Sequence, residues 1–317
     1  MMLDRCRGAL YGLAVGDALG AEVEFRARGS FAPVVDYRDG GPHGLAPGEW
    51  TDDTSMALAL AAGLSRSPDD LDDQAARYVA WWRRGEYSVN GRCFDIGSTV
   101  RGALARFEST GDARTSGDAS EHASGNGSIM RLAPVAIHQA MLAGDHDTLL
   151  RADRLDELER VAAESSRPTH PSDQCISACR YLGLLLSGLI AGVPREEVLA
   201  TDWSPLERIR TRSPLHPLID AIALGSFREK TESQVRGSGW VVESLEAALW
   251  AFHRADDFAS AVLAAVNLGL DADTTGAVCG QLAGACWGES GIPASWLDRL
   301  ARREMIERAL AGLGAAR

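Results

Sequence analysis

Apolar positions recur at three- and four-residue intervals almost from one end of this chain to the other. That period predicts helices over Leu3 to Leu19, Thr54 to Leu64, Leu71 to Trp82, Ile96 to Phe107, Leu132 to Leu142 and Leu155 to Ala163. It predicts further helices over Ser172 to Ala191, Pro217 to Leu224, Val241 to Phe252, Asp257 to Leu268, Thr274 to Trp287 and Ile306 to Leu313. The stretches between them, Arg26 to Gly48, Thr110 to Gly127, Arg167 to Pro171 and Asp202 to Gly239, read as loops, where ligand sites are usually built. Alternation with a period of two is nearly absent, and only Pro33 to Tyr37 has a brief strand-like composition. The expected architecture is therefore all-α, a compact orthogonal bundle of many helices packed around a central pair.

One helix carries a pattern of its own. Gly276, Gly280, Gly284 and Gly288 repeat every fourth residue and make one smooth face. Each glycine inside a helix costs about 1 kcal/mol relative to alanine, so close approach of another helix is the expected compensation. This places the helix at the centre of the bundle with its acidic start, Asp271-Ala272-Asp273-Thr274-Thr275, opening into a site.

A length of 317 residues with 45% hydrophobic and 24% charged residues suits a globular chain with a substantial core. No composition shift divides it, and residues 1–317 are read as a single domain. The Gly- and Ser-rich segment from Gly111 to Ser128 reads as a ligand-ordered loop, not a linker. Thirty-two basic against 44 acidic residues give a net charge of −12, which argues against nucleic acid as a partner. The six cysteines, at 6, 93, 175, 179, 279 and 286, show no zinc spacing and read as reduced core residues, which fits a cytoplasmic protein. Asp17 interrupts the apolar run that follows Arg5 and Arg7, so a secretory signal is not expected. Arg180 and Arg195 bound the apolar run from Leu182 to Val193, so no membrane span is expected either.

The chemistry concentrates at two distant helix starts. Trp50-Thr51-Asp52-Asp53-Thr54 and Asp271-Ala272-Asp273-Thr274-Thr275 each place paired carboxylates and threonines ahead of an apolar helical run. One such cluster is an ordinary N-cap. Two clusters, each with more carboxylates than a cap requires, point to cations between them. Four Asp and two Thr offer hard oxygen ligands, suited to one or two Mg²⁺ or Mn²⁺ ions and not to zinc.

Six blocks in order carry a resemblance. These are Gly16-Asp17-Ala18-Leu19-Gly20 with Glu24, Trp50 to Thr54, Cys93-Phe94-Asp95-Ile96-Gly97, Gly125-Asn126-Gly127-Ser128-Ile129-Met130-Arg131, Thr169-His170-Pro171 and Asp271 to Thr274. Taken together they resemble the ADP-ribosylglycohydrolase family, and the Phe94 to Gly97 block with Val241 to Phe252 is most similar to the bacterial branch typified by dinitrogenase reductase activating glycohydrolase. The resemblance implies two Mg²⁺ or Mn²⁺ ions held by Thr51, Asp52, Asp53, Asp271, Asp273 and Thr274. It implies hydrolysis of the N-glycosidic bond between ADP-ribose and an acceptor, usually arginine, on a modified protein or small molecule. Asp95 or Glu24 would handle the proton transfers, with Asp95 favoured, and Asp17 would stand behind the metal ligands or merely brace helices. Amides of the Gly125, Asn126, Gly127 and Ser128 turn would suit phosphate oxygens, and His170, in a turn segment, a phosphate or ribose. His43, His122, His138, His146, His216 and His253 form no ligand spacing and receive no role. Alternatives are a hydrolase of serine-linked or small-molecule ADP-ribose conjugates, a catalytically silent ADP-ribose-binding or structural protein, and a hydrolase of another nucleotide or phosphoester.

Overall fold

The computed structural model describes residues 1–315. The first eight helices are α1 (Met2–Gly20), α2 (Asp52–Arg66), α3 (Leu71–Arg84), α4 (Ser98–Thr110), α5 (Ala133–Ala143), α6 (His146–Leu149), α7 (Ala152–Ser166) and α8 (Asp173–Ala191). The remainder are α9 (Arg195–Val198), α10 (Ser204–Arg212), α11 (Pro217–Ala223), α12 (Val241–Arg254), α13 (Phe258–Val266), α14 (Ala272–Trp287), α15 (Ala294–Arg299) and α16 (Arg303–Ala315). The fold is all-α: among the described residues there is no sheet, only isolated bridges joining Ala27 to Gly269, Gly40 to Leu45 and Gly125 to Trp240. The Pro33 to Tyr37 segment forms no strand. The Asn267 side chain holds it instead, accepting from Val34 N at 2.7 Å and donating to Val34 O at 3.0 Å.

Helices α6, α9, α10 and α15 escape the periodicity. α10 falls inside the stretch read as a loop from Asp202 to Gly239 and buries only Leu206 and Ile209, too few apolar positions to mark a period. Its start is set locally, by a proline in the first turn.

α1 and α14 form the central pair and run antiparallel with their backbones in contact. A Cβ added at Gly8, Gly12 or Gly16 would fall on the carbonyl oxygen of Gly284, Gly280 or Gly276 respectively. The stripe on α14 therefore meets a matching stripe on α1, and Cα–H···O contacts replace side-chain packing along the seam. Gly288 lies outside this zipper: it ends α14 with φ +77°, a conformation that favours glycine. At the other end Gly20 lies against the backbone of Asp273, so the end of α1 is pinned to the start of α14.

α8 is long and apolar enough to cross a membrane by length and composition, and Arg180 lies within the helix instead of bounding it. Yet nearly all of the helix is buried inside the bundle. Arg180 is itself buried and paired with Glu159 at 2.7 Å. All six cysteines are free, but Cys93 and Cys286 are only half-buried, unlike the other four.

Candidate active site

The two Asp-Thr helix starts meet. Thr51 Oγ1 lies 3.4 Å from Asp273 Oδ2, and Thr274 Oγ1 lies 3.3 Å from Asp53 Oδ2. Thr51 is the N-cap of α2 and Asp271 that of α14, yet neither side chain makes a capping bond. Asp17, from α1, does that work for α2. Its Oδ1 accepts from Thr51 N at 2.8 Å and Thr51 Oγ1 at 2.9 Å, and its Oδ2 from Thr54 N at 3.0 Å and Thr54 Oγ1 at 2.6 Å. With the first turn of α2 satisfied from outside, Asp52 and Asp53 are released from capping.

The donor set fits divalent cations. Asp53 Oδ1 and Asp273 Oδ1 are buried with no hydrogen-bond partner among the described residues, a costly condition for carboxylate oxygens. Thr51 has one hydroxyl proton, engaged by Asp17 at 2.9 Å, so its oxygen faces Asp53 Oδ2 at 3.3 Å with lone pairs only. Oxygens of Asp17, Asp53 and Asp273 approach within 4.8 Å of one another, as do those of Glu24, Asp271 and Asp273. Burial first, and then neighbouring carboxylates, push Asp52, Asp53 and Asp273 well above the ordinary carboxylate range. Asp17, also buried, is pushed up to about 6 against the pull of its four donors. Carboxylates crowded this way ionise together only when cations share them.

A cavity of about 530 Å³ opens onto this cluster. Of the residues singled out in the sequence, Glu24, Asp52, Asp95, Gly125, Asn126, Gly127, His170, Asp271, Asp273 and Thr274 line it. Thr51 and Asp53 lie fully buried in contact with that wall. Ser128 does not line it, and its hydroxyl is buried without a partner among the described residues. The glycine turn is also less free than its composition suggests: Asn126 N donates to Gly239 O at 3.0 Å, and Asn126 Nδ2 to Asp271 Oδ2 at 2.6 Å. Gly127 is required by packing, since a Cβ there would come within 2.6 Å of His170 Cε1.

Asp95 is not an N-cap. α4 begins at Ser98 with Gly97 as its cap, and Asp95 precedes it at φ +59°. Phe25 (φ +63°) and Leu270 (φ +62°) share this uncommon conformation, so strain concentrates around the cavity. Backbone bonds lock it in place, Phe25 N to Leu270 O at 2.6 Å and Leu270 N to Arg26 O at 2.7 Å.

His43, given no role from its spacing, belongs to the site. Its Nε2 lies 2.9 Å from Glu24 Oε2 and 3.2 Å from Asp95 Oδ1. These two carboxylates raise the imidazole to about 10, Asp95 contributing first. Burial pushes Glu24 up to about 7. The only sequence signal was a histidine set among turn glycines, Gly41 and Gly44, and nothing in it points to Glu24 or Asp95. Trp240, next to Gly239 in the chain, is 38% exposed and is held by Nε1 donating to Gln174 Oε1 at 2.7 Å.

The family model for ADP-ribosylglycohydrolases matches residues 1–317. The chain belongs to the ADP-ribosylglycohydrolase family. It is 41% identical to an ADP-ribosylarginine hydrolase, Tri1, of Serratia proteamaculans, over 96% of this chain and 77% of that protein. It is 33% identical to the ADP-ribosyl-[dinitrogen reductase] glycohydrolase of Rhodospirillum rubrum, over 94% of this chain and 90% of that one. A solved structure described as an ADP-ribosylglycohydrolase-related protein complex superposes with a TM-score of 0.81 at 41% identity, covering 100% of this chain and 99% of that one. Within this ADP-ribosylglycohydrolase, the resemblance to the dinitrogenase reductase branch agrees with the relatives.

Proposed function

We propose that this ADP-ribosylglycohydrolase removes ADP-ribose from arginine, adding water across the bond between the anomeric carbon of the ribose and the guanidine nitrogen. One observation carries the reading: oxygen donors of two distant helix starts converge on the floor of a cavity large enough for a nucleotide sugar, with buried carboxylate oxygens left unpartnered. Thr51, Asp52, Asp53, Asp271, Asp273 and Thr274 would hold two Mg²⁺ or Mn²⁺ ions. When bound, such ions orient sugar hydroxyls and lower the pKa of a bound water.

The chain's own residues supply the rest. Asn126 holds Asp271 in place, and Asp17 holds Thr51. Asp95 and Glu24, bridged by His43, stand on the cavity wall as the acid and base for an attacking water and a departing guanidine. A guanidinium, with donors in a planar fork, is matched by this pair of carboxylates in a way that a serine oxygen is not.

The test measures release of ADP-ribose from ADP-ribosyl-arginine, with ADP-ribosyl-serine and dinucleotides assayed in parallel. Asp95→Ala should lower kcat by about 10²- to 10⁴-fold, the range for a lost acid or base. Asp273→Ala should abolish turnover while leaving the helical content intact. Full activity in the Asp273 variant, or preference for another linkage, rejects the assignment.

A further inference from the structure

Arg131 is fully buried and pairs with no carboxylate among the described residues. Its guanidinium donates to Thr169 Oγ1 at 2.6 Å and Ser165 O at 3.3 Å, lies 4.6 Å from the centroid of the Tyr78 ring, and leaves Nε without a partner among the described residues. Burying a cation this way is costly, and an apolar side chain would serve packing better. The beneficiary is one bond further on. Thr169 Oγ1 lies 2.9 Å from His170 Nδ1, and His170 lines the cavity.

Donor and acceptor roles along this chain are forced. A guanidinium can only donate, so Thr169 Oγ1 accepts from Arg131. Thr169 is itself fully buried, and among the described residues its hydroxyl proton has one acceptor within reach, His170 Nδ1. A proton on Nδ1 would leave the Thr169 hydroxyl proton unsatisfied in the interior. Nδ1 therefore accepts, and the imidazole proton resides on Nε2, which lies beside Gly125 and Gly127 where no Cβ intrudes. Burial, aided by the Arg131 charge, holds His170 far below the ordinary histidine range, at about 3.

We propose that Arg131 and Thr169 are positioning residues that keep His170 as the neutral imidazole protonated on Nε2, so that it presents a hydrogen-bond donor, not an acceptor or a charge, to an oxygen of the ligand. The ligand half of this inference rests on the cavity being the ADP-ribose site, where phosphate or ribose oxygens are the available acceptors. In an acidic site a neutral donor recognises such oxygens without pairing to the metal-binding carboxylates.

Long-range ¹H–¹⁵N spectra of the full chain labelled at histidine read the tautomer directly, with His170→Gln assigning the signals by their loss. The expected result is a neutral ring protonated on Nε2, shifted by added ADP-ribose. Thr169→Val should let the Nδ1-protonated form appear and weaken ADP-ribose binding about tenfold, the effect of one lost hydrogen bond. Thr169→Ser, which keeps the hydroxyl, should restore both, and circular dichroism confirms that each variant is folded. An Nδ1 proton or an imidazolium in the unmutated protein overturns the proposal, as does a Thr169→Val variant with unchanged tautomer and affinity. An Nε2-protonated His170 that ADP-ribose does not perturb overturns the ligand half and the substrate reading, while leaving the tautomer assignment standing.

Discussion

Asp17 sets the geometry of the site without facing the cavity. By accepting from Thr51 and Thr54 through both oxygens it caps a helix in place of that helix's own first residue, and it aims the Thr51 oxygen at Asp53 and Asp273. Asp17→Asn cannot accept on both sides, since one oxygen becomes an amide donor. Activity in this variant should fall by about 10- to 100-fold, as for other groups that orient metal ligands. Steady-state kinetics across a Mn²⁺ titration check this, and rescue by excess metal would mark the loss as one of affinity. His43 acts at the same level as the shared partner of Glu24 and Asp95. Its removal should lower kcat more than it raises KM, because the two carboxylates would then repel each other and leave their positions; parallel kcat and KM measurements on His43→Ala decide the matter.

Helix α1 is held at two places, and each can be tested. Along the glycine seam with α14, Gly280→Ala would press a methyl into the Gly12 carbonyl, and overpacking of this kind costs about 1–3 kcal/mol. Denaturant unfolding should report the loss, with activity falling beyond it because separating the helices moves Asp17 away from Asp273. At its start, Arg7 pairs with Glu307 of α16 at 2.6 Å and with Glu289, and Tyr11 donates to Glu307 at 2.6 Å. Arg7 holds the Glu307 carboxyl down at about 2 from an ordinary 4.5. A lowered carboxyl stabilises the fold fully above its unfolded value and loses that contribution as the pH falls through the folded one. The melting temperature gap between the native chain and Arg7→Met should therefore be full near neutral pH, shrink below about pH 4.5 and close near pH 2. Solvent screening at this half-exposed site keeps it small.

For the molecule as a whole, the crowded carboxylates at the junction of α1, α2 and α14 oppose folding unless cations neutralise them. Mg²⁺ or Mn²⁺ at 100 times its dissociation constant should add about 2.7 kcal/mol of stability for each ion bound, and chelation should remove it. Thermal melts with and without a chelator measure this. Asp273→Ala should lose most of the metal-induced rise and melt no lower than the native chain once metal is withdrawn. A native chain whose melting ignores both metal and chelator would contradict the metal assignment.

Helical period and local chemistry were enough to read the all-α class, the central place of α14, and the two Asp-Thr starts as one site, because amphipathic spacing, glycine stripes and surplus carboxylates are properties of neighbours along the chain. The matching glycines of α1 were equally legible but gain meaning only beside their partner, as the Gly8, Gly12 and Gly16 contacts with Gly284, Gly280 and Gly276 make plain. The short helices α6, α9, α10 and α15 bury too few apolar residues to leave a period. His43 between Glu24 and Asp95, the choice of the α2 start as the helix that Asp17 braces, and the path from Arg131 to His170 were decided by tertiary structure. Each is a hydrogen bond between residues whose separation in the chain carries no periodic signal, and it exists only once the packed helices have brought donor and acceptor within about 3 Å.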